Sequence, residues 1–181
     1  MGQSIGLHVD HQSPLQGQEF SRATERELRR RTWYSMYVLD RLLALQLGRP
    51  IAIHKEDFNV TLPSQSERVS FHAVANNNPS GKEDVVLQTS MMDYFLHVIQ
   101  FSDIVGLVIR ELYQPTQAEI SADKMLSCAS SLDTRLCRWK ANLPRHLRFD
   151  LAHTFEKSIL FRRQVSELSC LFSALILGEL Y

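Results

Sequence analysis

The sequence is short of cysteine and of net charge, and each shortage excludes a class. Only three cysteines occur in 181 residues, Cys128, Cys137 and Cys170, with no C-x-x-C pair. They are too few and too scattered for a disulfide framework. The spacing also argues against a structural zinc site in this chain, and reduced thiols in an intracellular compartment are the expectation. Twenty Lys and Arg balance twenty Asp and Glu, so the basic excess of a free-standing nucleic-acid binder is missing. The same balance excludes a charged disordered tail. No apolar run is expected to reach the roughly 20 residues that span a bilayer. The best candidate, Leu168 to Leu177, is short and holds Ser169 and Ser173. No charged segment followed by an apolar one opens the chain, so no secretory signal is expected. What is present is a 44% hydrophobic fraction, enough to give a chain of this length one soluble globular core.

Periodicity points to an all-α fold, an irregular array of four helices. The first helix is expected from about Thr24 to Leu47. Thr24 and Glu27 have the S/T-x-x-E spacing of a capping box. Trp33, Met36, Tyr37, Asp40, Leu43 and Leu47 recur at three- and four-residue steps. From Met36 to Leu47 nearly every position is apolar, which predicts burial on most sides. Gly48 stands where a left-handed C-cap belongs, and Pro50 forbids continuation. An extended segment is expected from Ile51 to Pro63, then a long polar loop over residues 64–84 around Asn76-Asn77-Asn78-Pro79-Ser80-Gly81. A second helix is expected from Asp84 to Tyr113, with Met92, Phe95, Ile99, Ser102, Val105, Ile109 and Leu112 on one face and a break near Gly106. A third, from Ala118 to Asn142, carries the stripe Met125, Ala129, Leu132, Leu136, Trp139. A fourth begins near Phe155 and becomes steadily more apolar through Leu168, Phe172, Leu175 and Leu177. It reaches Tyr181 without a cap, which suggests a missing continuation or partner and leaves a homodimer open.

Chemistry-bearing motifs are few. Gly2-Gln3-Ser4-Ile5-Gly6 matches G-x-S-x-G, but a nucleophile elbow needs a strand before it and only one residue precedes this match. The same residues miss a myristoylation signal because Gly6 stands where Ser or Thr is required. His8, Asp10 and His11 offer two imidazoles and a carboxylate, yet no further ligand completes a metal shell. Arg26, Arg29, Arg30 and Arg31 form the one basic cluster. DNA contact is the sharper reading, but the interleaved Glu25 and Glu27 favour a solvated face with internal ion pairs. Asn59-Val60-Thr61 fits a glycosylation acceptor, with nothing to indicate secretion. No catalytic, metal or DNA-binding residues are assigned, so an enzyme is not expected. Asp40, Arg41 and Arg49 lie in an apolar setting where a charge is costly unless paired. The expectation is that Arg49, held extended by Pro50, folds back onto Asp40 and locks the helix end.

Leu28-Arg29-Arg30-Arg31-Thr32-Trp33-Tyr34-Ser35-Met36-Tyr37-Val38-Leu39-Asp40-Arg41, then Gly48-Arg49-Pro50-Ile51-Ala52-Ile53 and Asp57 to Pro63, resemble a known family. The combination is similar to the fungal-specific transcription factor domain, the middle homology region of fungal zinc-cluster regulators. Gly6-Leu7-His8-Val9-Asp10 also resembles the G-L-H-x-D preceding it there. The likeness is strongest over residues 6–63 and weaker through Trp139 to Pro144 and the fourth helix. Tyr34 stands where a second tryptophan is commoner. The family motif positions are Arg30, Arg31, Trp33, Asp40, Arg41, Gly48, Arg49, Pro50 and Pro63.

The resemblance implies one partial helical regulatory domain over residues 1–181, with a flexible loop at 64–84 and a helical remainder at 85–181. It implies a nuclear protein that controls transcription through a small effector or other proteins of the transcription machinery. DNA would be bound by a separate six-cysteine zinc cluster, so zinc is expected there and no cofactor in this chain. The alternative is a stand-alone helical interaction module that has lost DNA binding. Family sequence is expected to be missing at both ends. A candidate effector groove lies beside Met91, Met92, Phe95 and Trp139, because methionine-rich walls adapt to varied ligands; the same residues fit a helical core.

Overall fold

The computed structural model describes residues 3–10, 19–64, 81–113, 121–145 and 147–148, the side chains of 19–22 and 81–90 apart. Among these residues are three long helices: α1 (Glu19–Leu47), α2 (Gly81–Leu112) and α3 (Ala122–Ala141). A single 3-10 turn, Lys55–Asp57, interrupts the extended segment that follows α1. No strand occurs among the described residues, so the all-α expectation holds. The expected fourth helix and the centre of the polar loop lie outside the described residues. The loop's last residues do not: α2 already begins at Gly81, three residues before the expected start at Asp84.

Helix α2 packs against both α1 and α3. Its inner stripe follows the 3.6-residue period, with Met92, Ile99, Ser102, Val105, Ile109 and Leu112 buried. The helix runs unbroken through Gly106. A Cβ at that position would stand 3.6 Å from Nε of Arg41, an ordinary contact, so a large cation of α1 lies close against α2 here. The stretch Met91–Leu112, 22 residues, is long and apolar enough to cross a bilayer, contrary to the expectation that no such run exists. Here Val105 and Val108 are completely buried against protein, and the stretch serves as the central core helix.

Among the described residues, two clusters make the core. One joins Phe101, Val105, Val108 and Leu112 of α2 to Ala129, Leu132, Leu136 and Trp139 of α3. Full burial of a leucine such as Leu132 contributes roughly 1.5–3 kcal/mol, which makes the α3 stripe the main apolar tie on that side. The other joins Trp33, Tyr34, Tyr37 and Val38 of α1 to Val98 and Ile99 of α2 and Val60 of the extended segment.

Helix α1 departs from its expected burial. Leu39, Leu43 and Leu47 are 55%, 50% and 58% exposed. They form an outward i, i+4, i+8 stripe, while the inward stripe runs Trp33, Tyr37, Arg41, Ala44. A buried arginine stands where the apolar pattern would have placed a leucine.

Candidate functional site

The motif residues fall into two patches on α1, each a charged group buried against extended chain. The first is built on Asp40 and Arg41. Gly48 takes φ +61°, and the Arg49 N–H donates to the Ala44 carbonyl at 3.0 Å. This left-handed stop ends α1 and turns the chain back along it. Asp40 then collects the returning backbone: its carboxylate accepts from the N–H of Ala52 at 3.1 Å and of Ile53 at 3.1 Å. The Arg41 guanidinium is 2% exposed, donates to Asp40 Oδ2 at 2.9 Å, and donates to the Ile53 carbonyl. Its Cζ lies 3.4 Å above the centroid of the Tyr37 ring, a cation–π contact. Tyr37 in turn donates its hydroxyl to Asp103 of α2 at 2.6 Å, and Lys55 pairs with the same carboxylate at 2.9 Å. One chain of contacts therefore ties α1, the extended return, the 3-10 turn and α2.

The titration behaviour follows from the burial. Burial lowers the Arg41 pKa, opposed by Tyr37, Asp40 and Asp103. Burial and then the hydrogen bond to Asp103 raise Tyr37 well above an ordinary phenol. The expected partner of Asp40 was Arg49; the structure corrects this. Arg49 is exposed, and Asp40 is satisfied by its neighbour Arg41 and two backbone donors. The reversal of the chain at Gly48 carries Arg49 outward and presents the N–H groups of residues 52 and 53 to the carboxylate.

The second patch is built on Glu27, whose side chain is completely buried. It is not a capping-box residue, because α1 starts at Glu19 and runs through Thr24. Its carboxylate takes Arg31 Nε at 2.7 Å and the Ser64 N–H at 3.1 Å. Arg30 bonds Asp10 at 2.8 Å, Thr61 Oγ1 donates to the same carboxylate at 2.8 Å, and Arg29 donates to the Gly6 carbonyl at 3.2 Å. Pro63 is buried beside this strap. Burial pushes the Asp10 carboxyl up, but the bonds from Thr61 and Arg30 outweigh it and hold it below its ordinary value of 3.8.

Trp33 seals the space between the patches, edge-on to Phe58 at 5.3 Å, while Tyr34 donates to the Val60 carbonyl at 2.8 Å. Arg31 thus pairs within the cluster as the interleaved charges predicted, but on a buried Glu27 rather than on a solvated face, and Arg30 turns to Asp10. Asp10 lies 20 residues away from Arg30, a contact that local spacing cannot reveal.

The remaining candidates are dispersed. His8 packs on Trp33 at 6.2 Å and Asp10 is engaged by Arg30, while His11 lies outside the described residues. No group of three or more potential metal ligands occurs among the described residues. Cys128 donates its thiol to Glu111 at 3.1 Å, which raises its pKa ahead of burial. Of the expected effector groove, Met91 is exposed and Phe95 packs in the Trp33 cluster. Trp139 packs on Phe101 at 5.0 Å and donates to the His97 carbonyl at 3.0 Å.

A different cleft, of about 530 Å³, opens where α1, α2, α3 and the 3-10 turn meet. Trp139 is the one expected groove residue that lines it, beside Tyr37, Arg41, Asp103, Gly106 and Arg110. Sequence reasoning passed over this place because its residues come from four separate segments. The only local signal was the D-R dipeptide.

The sequence comparisons accord with this layout. The family model described as the fungal specific transcription factor domain matches residues 1–141. The chain is 28% identical over 149 residues to an ABC-transporter-regulating transcription factor of Aspergillus oryzae, covering 82% of this chain and 15% of that protein. It is 27% identical over 138 residues to an acetamidase regulatory protein of Aspergillus fumigatus, covering 76% of this chain and 15% of the relative. It is 28% identical over 127 residues to the transcriptional activator protein acu-15 of Neurospora crassa, covering 68% and 12%. The chain thus spans a small part of each of these relatives. No solved structure matches significantly.

Two outcomes are expected. Asp40→Ala, which leaves the buried Arg41 cation without its carboxylate, destabilises the fold by about 3–5 kcal/mol. Arg49→Ala on the exposed turn changes it by no more than about 0.5 kcal/mol; urea denaturation followed by circular dichroism reads both. Equal effects would contradict the assignment. Because the folded pKa of Asp10 is depressed, its contribution is complete above the unfolded value of 3.8 and is lost as pH falls through the lower folded value. The stability gap between the native chain and Asp10→Asn therefore narrows below pH 3.8. A gap constant through that window would show that Asp10 is unpaired.

Proposed function

Because this chain belongs to the fungal specific transcription factor domain family, we infer that it is a regulatory helical segment of a nuclear transcription factor. In this reading it controls output through an effector or a protein partner. DNA is read by a zinc-bearing cysteine cluster outside this chain. The observation that carries the reading is the match over residues 1–141, which takes in both motif patches and all three helices. The balanced charge supports it, since Arg29, Arg30 and Arg31 of α1 are drawn into ion pairs and a backbone bond and are poorly placed to neutralise phosphates. The regulators among its relatives support a non-enzymatic role.

The mechanism that the geometry favours is mechanical. Residues 3–10, α1, residues 48–64 and α2 are joined by buried charges whose partners come from different segments. A change at one segment is thus passed to the others as a change in pairing.

The test inserts the whole chain between an unrelated DNA-binding module and an activation segment, and reads a reporter gene in fungal cells. Insertion is expected to change the output several-fold, and Arg41→Ala to remove the effect. Output equal to that of the fusion lacking the chain would contradict the regulatory role.

A further inference from the structure

The cleft beside Arg41 has the size and lining of a small-molecule site, since such sites occupy roughly 300–1,000 Å³. Its charge is one-sided. Arg41, Lys55, Arg110, Arg135 and Arg138 line it against the carboxylates of Glu56 and Asp103. Asp103 is already engaged by Lys55 at 2.9 Å and Tyr37 at 2.6 Å. Arg135 and Arg138, on the rim formed by α3, make no ion pair among the described residues. Between the cations lies an apolar floor of Ile51, Ile104, Leu107 and Trp139.

A second, independent observation points to a ligand. Arg41 is 2% exposed, and its Nε–H is buried without a hydrogen-bond acceptor among the described residues. Its other two nitrogens are used by Asp40 and the Ile53 carbonyl. A buried donor left unpaired costs about 1–3 kcal/mol, so a folded chain gains by supplying an acceptor there. The unused donor atom lies beside Gly106, which also lines the cleft; a Cβ on that residue would stand 3.6 Å from it.

We propose that this cleft binds a small organic carboxylate, its anion taken between Arg41 Nε and the Arg138 rim and its apolar body laid on Ile104, Leu107 and Trp139. The proposal rests on the regulatory reading above and gives that reading a ligand class. A carboxylate fits better than a bare phosphate because the cations border an apolar floor. A phosphate alone would leave that surface wet. A neutral ligand would leave the cationic rim without a counter-charge.

The test is a titration of the full chain with phenylacetate, phenylacetamide and inorganic phosphate. It is followed by the NMR signals of the Arg41 Nε–H and the Trp139 indole N–H. Phenylacetate is expected to shift both signals saturably and to bind about tenfold or more tightly than the amide, the gain ordinarily given by a charge-assisted hydrogen bond. Arg138→Ala should weaken phenylacetate by a similar factor. Gly106→Ala keeps the helix, because alanine favours it over glycine, yet places a methyl beside the donor. It should suppress the Arg41 shift. Equal binding of acid and amide, phosphate binding as tight as phenylacetate, or signals unmoved at millimolar phenylacetate would each overturn the proposal. A reporter response without carboxylate binding would remove the ligand class and leave the regulatory reading standing. Binding with a flat reporter would remove the reading and leave the site.

Discussion

A guanidinium buried between two helices governs much of this structure. Arg41 cannot be left unsatisfied in so apolar a place, because a buried charge without partners costs several kcal/mol. Meeting its needs dictates the surroundings. Asp40 must turn inward beside it, Tyr37 must lie flat beneath it at 3.4 Å, and the chain after α1 must reverse at Gly48 so that the Ile53 carbonyl can reach it. Gly106 of α2 lies close beside it, where a Cβ would come within 3.6 Å of Nε. The extended return from Ile51 to Pro63 is held by these polar bonds and by aromatic contacts, since among the described residues it has no sheet to join.

The second patch repeats the principle with the opposite sign. Glu27 is a buried anion whose needs are met by Arg31 and by the Ser64 backbone. The two patches stand at either end of one aromatic cluster, and together they fasten the N-terminal segment and the extended return to the same face of α1. Buried charges of this kind contribute little net stability against apolar replacements, but they demand particular partners. In a regulatory domain that demand is useful, because displacing one partner leaves a charge that must find another. The cleft adjoining Arg41 is where such a displacement has room to occur.

Part of this was legible in the sequence. The α3 stripe of Ala129, Leu132, Leu136 and Trp139 is buried as its period implies, and Gly48 is the left-handed stop that its position implies, because both depend on neighbours a few residues away. The need of Asp40 and Arg41 for partners was also legible, since charge in an apolar run is costly wherever it occurs. Who the partners are was not. Arg49 was the expected partner of Asp40, yet it is exposed beyond the turn at Gly48, and the adjacent Arg41 takes its place. Glu27 resembled a capping residue because its spacing from Thr24 fits one, while its true acceptor role depends on Ser64, 37 residues away. The cleft joins four segments and has no local signature. Local rules found the helices; tertiary contacts placed the charges.

The two arms of the Arg41 network are expected to act as one unit. A double-mutant cycle measures this directly, with Asp40→Asn on the arm toward the extended return and Asp103→Asn on the arm toward α2, each read by urea denaturation. The two carboxylates sit on different helices and make no bond to each other, so coupling passes through Arg41 and Tyr37 or through the return segment, where Asp40 holds the Ile53 N–H and Lys55 pairs with Asp103. A coupling energy of about 1 kcal/mol or more is the predicted result, whereas additivity within about 0.3–0.5 kcal/mol would mean that the arms are independent and that no single clamp exists.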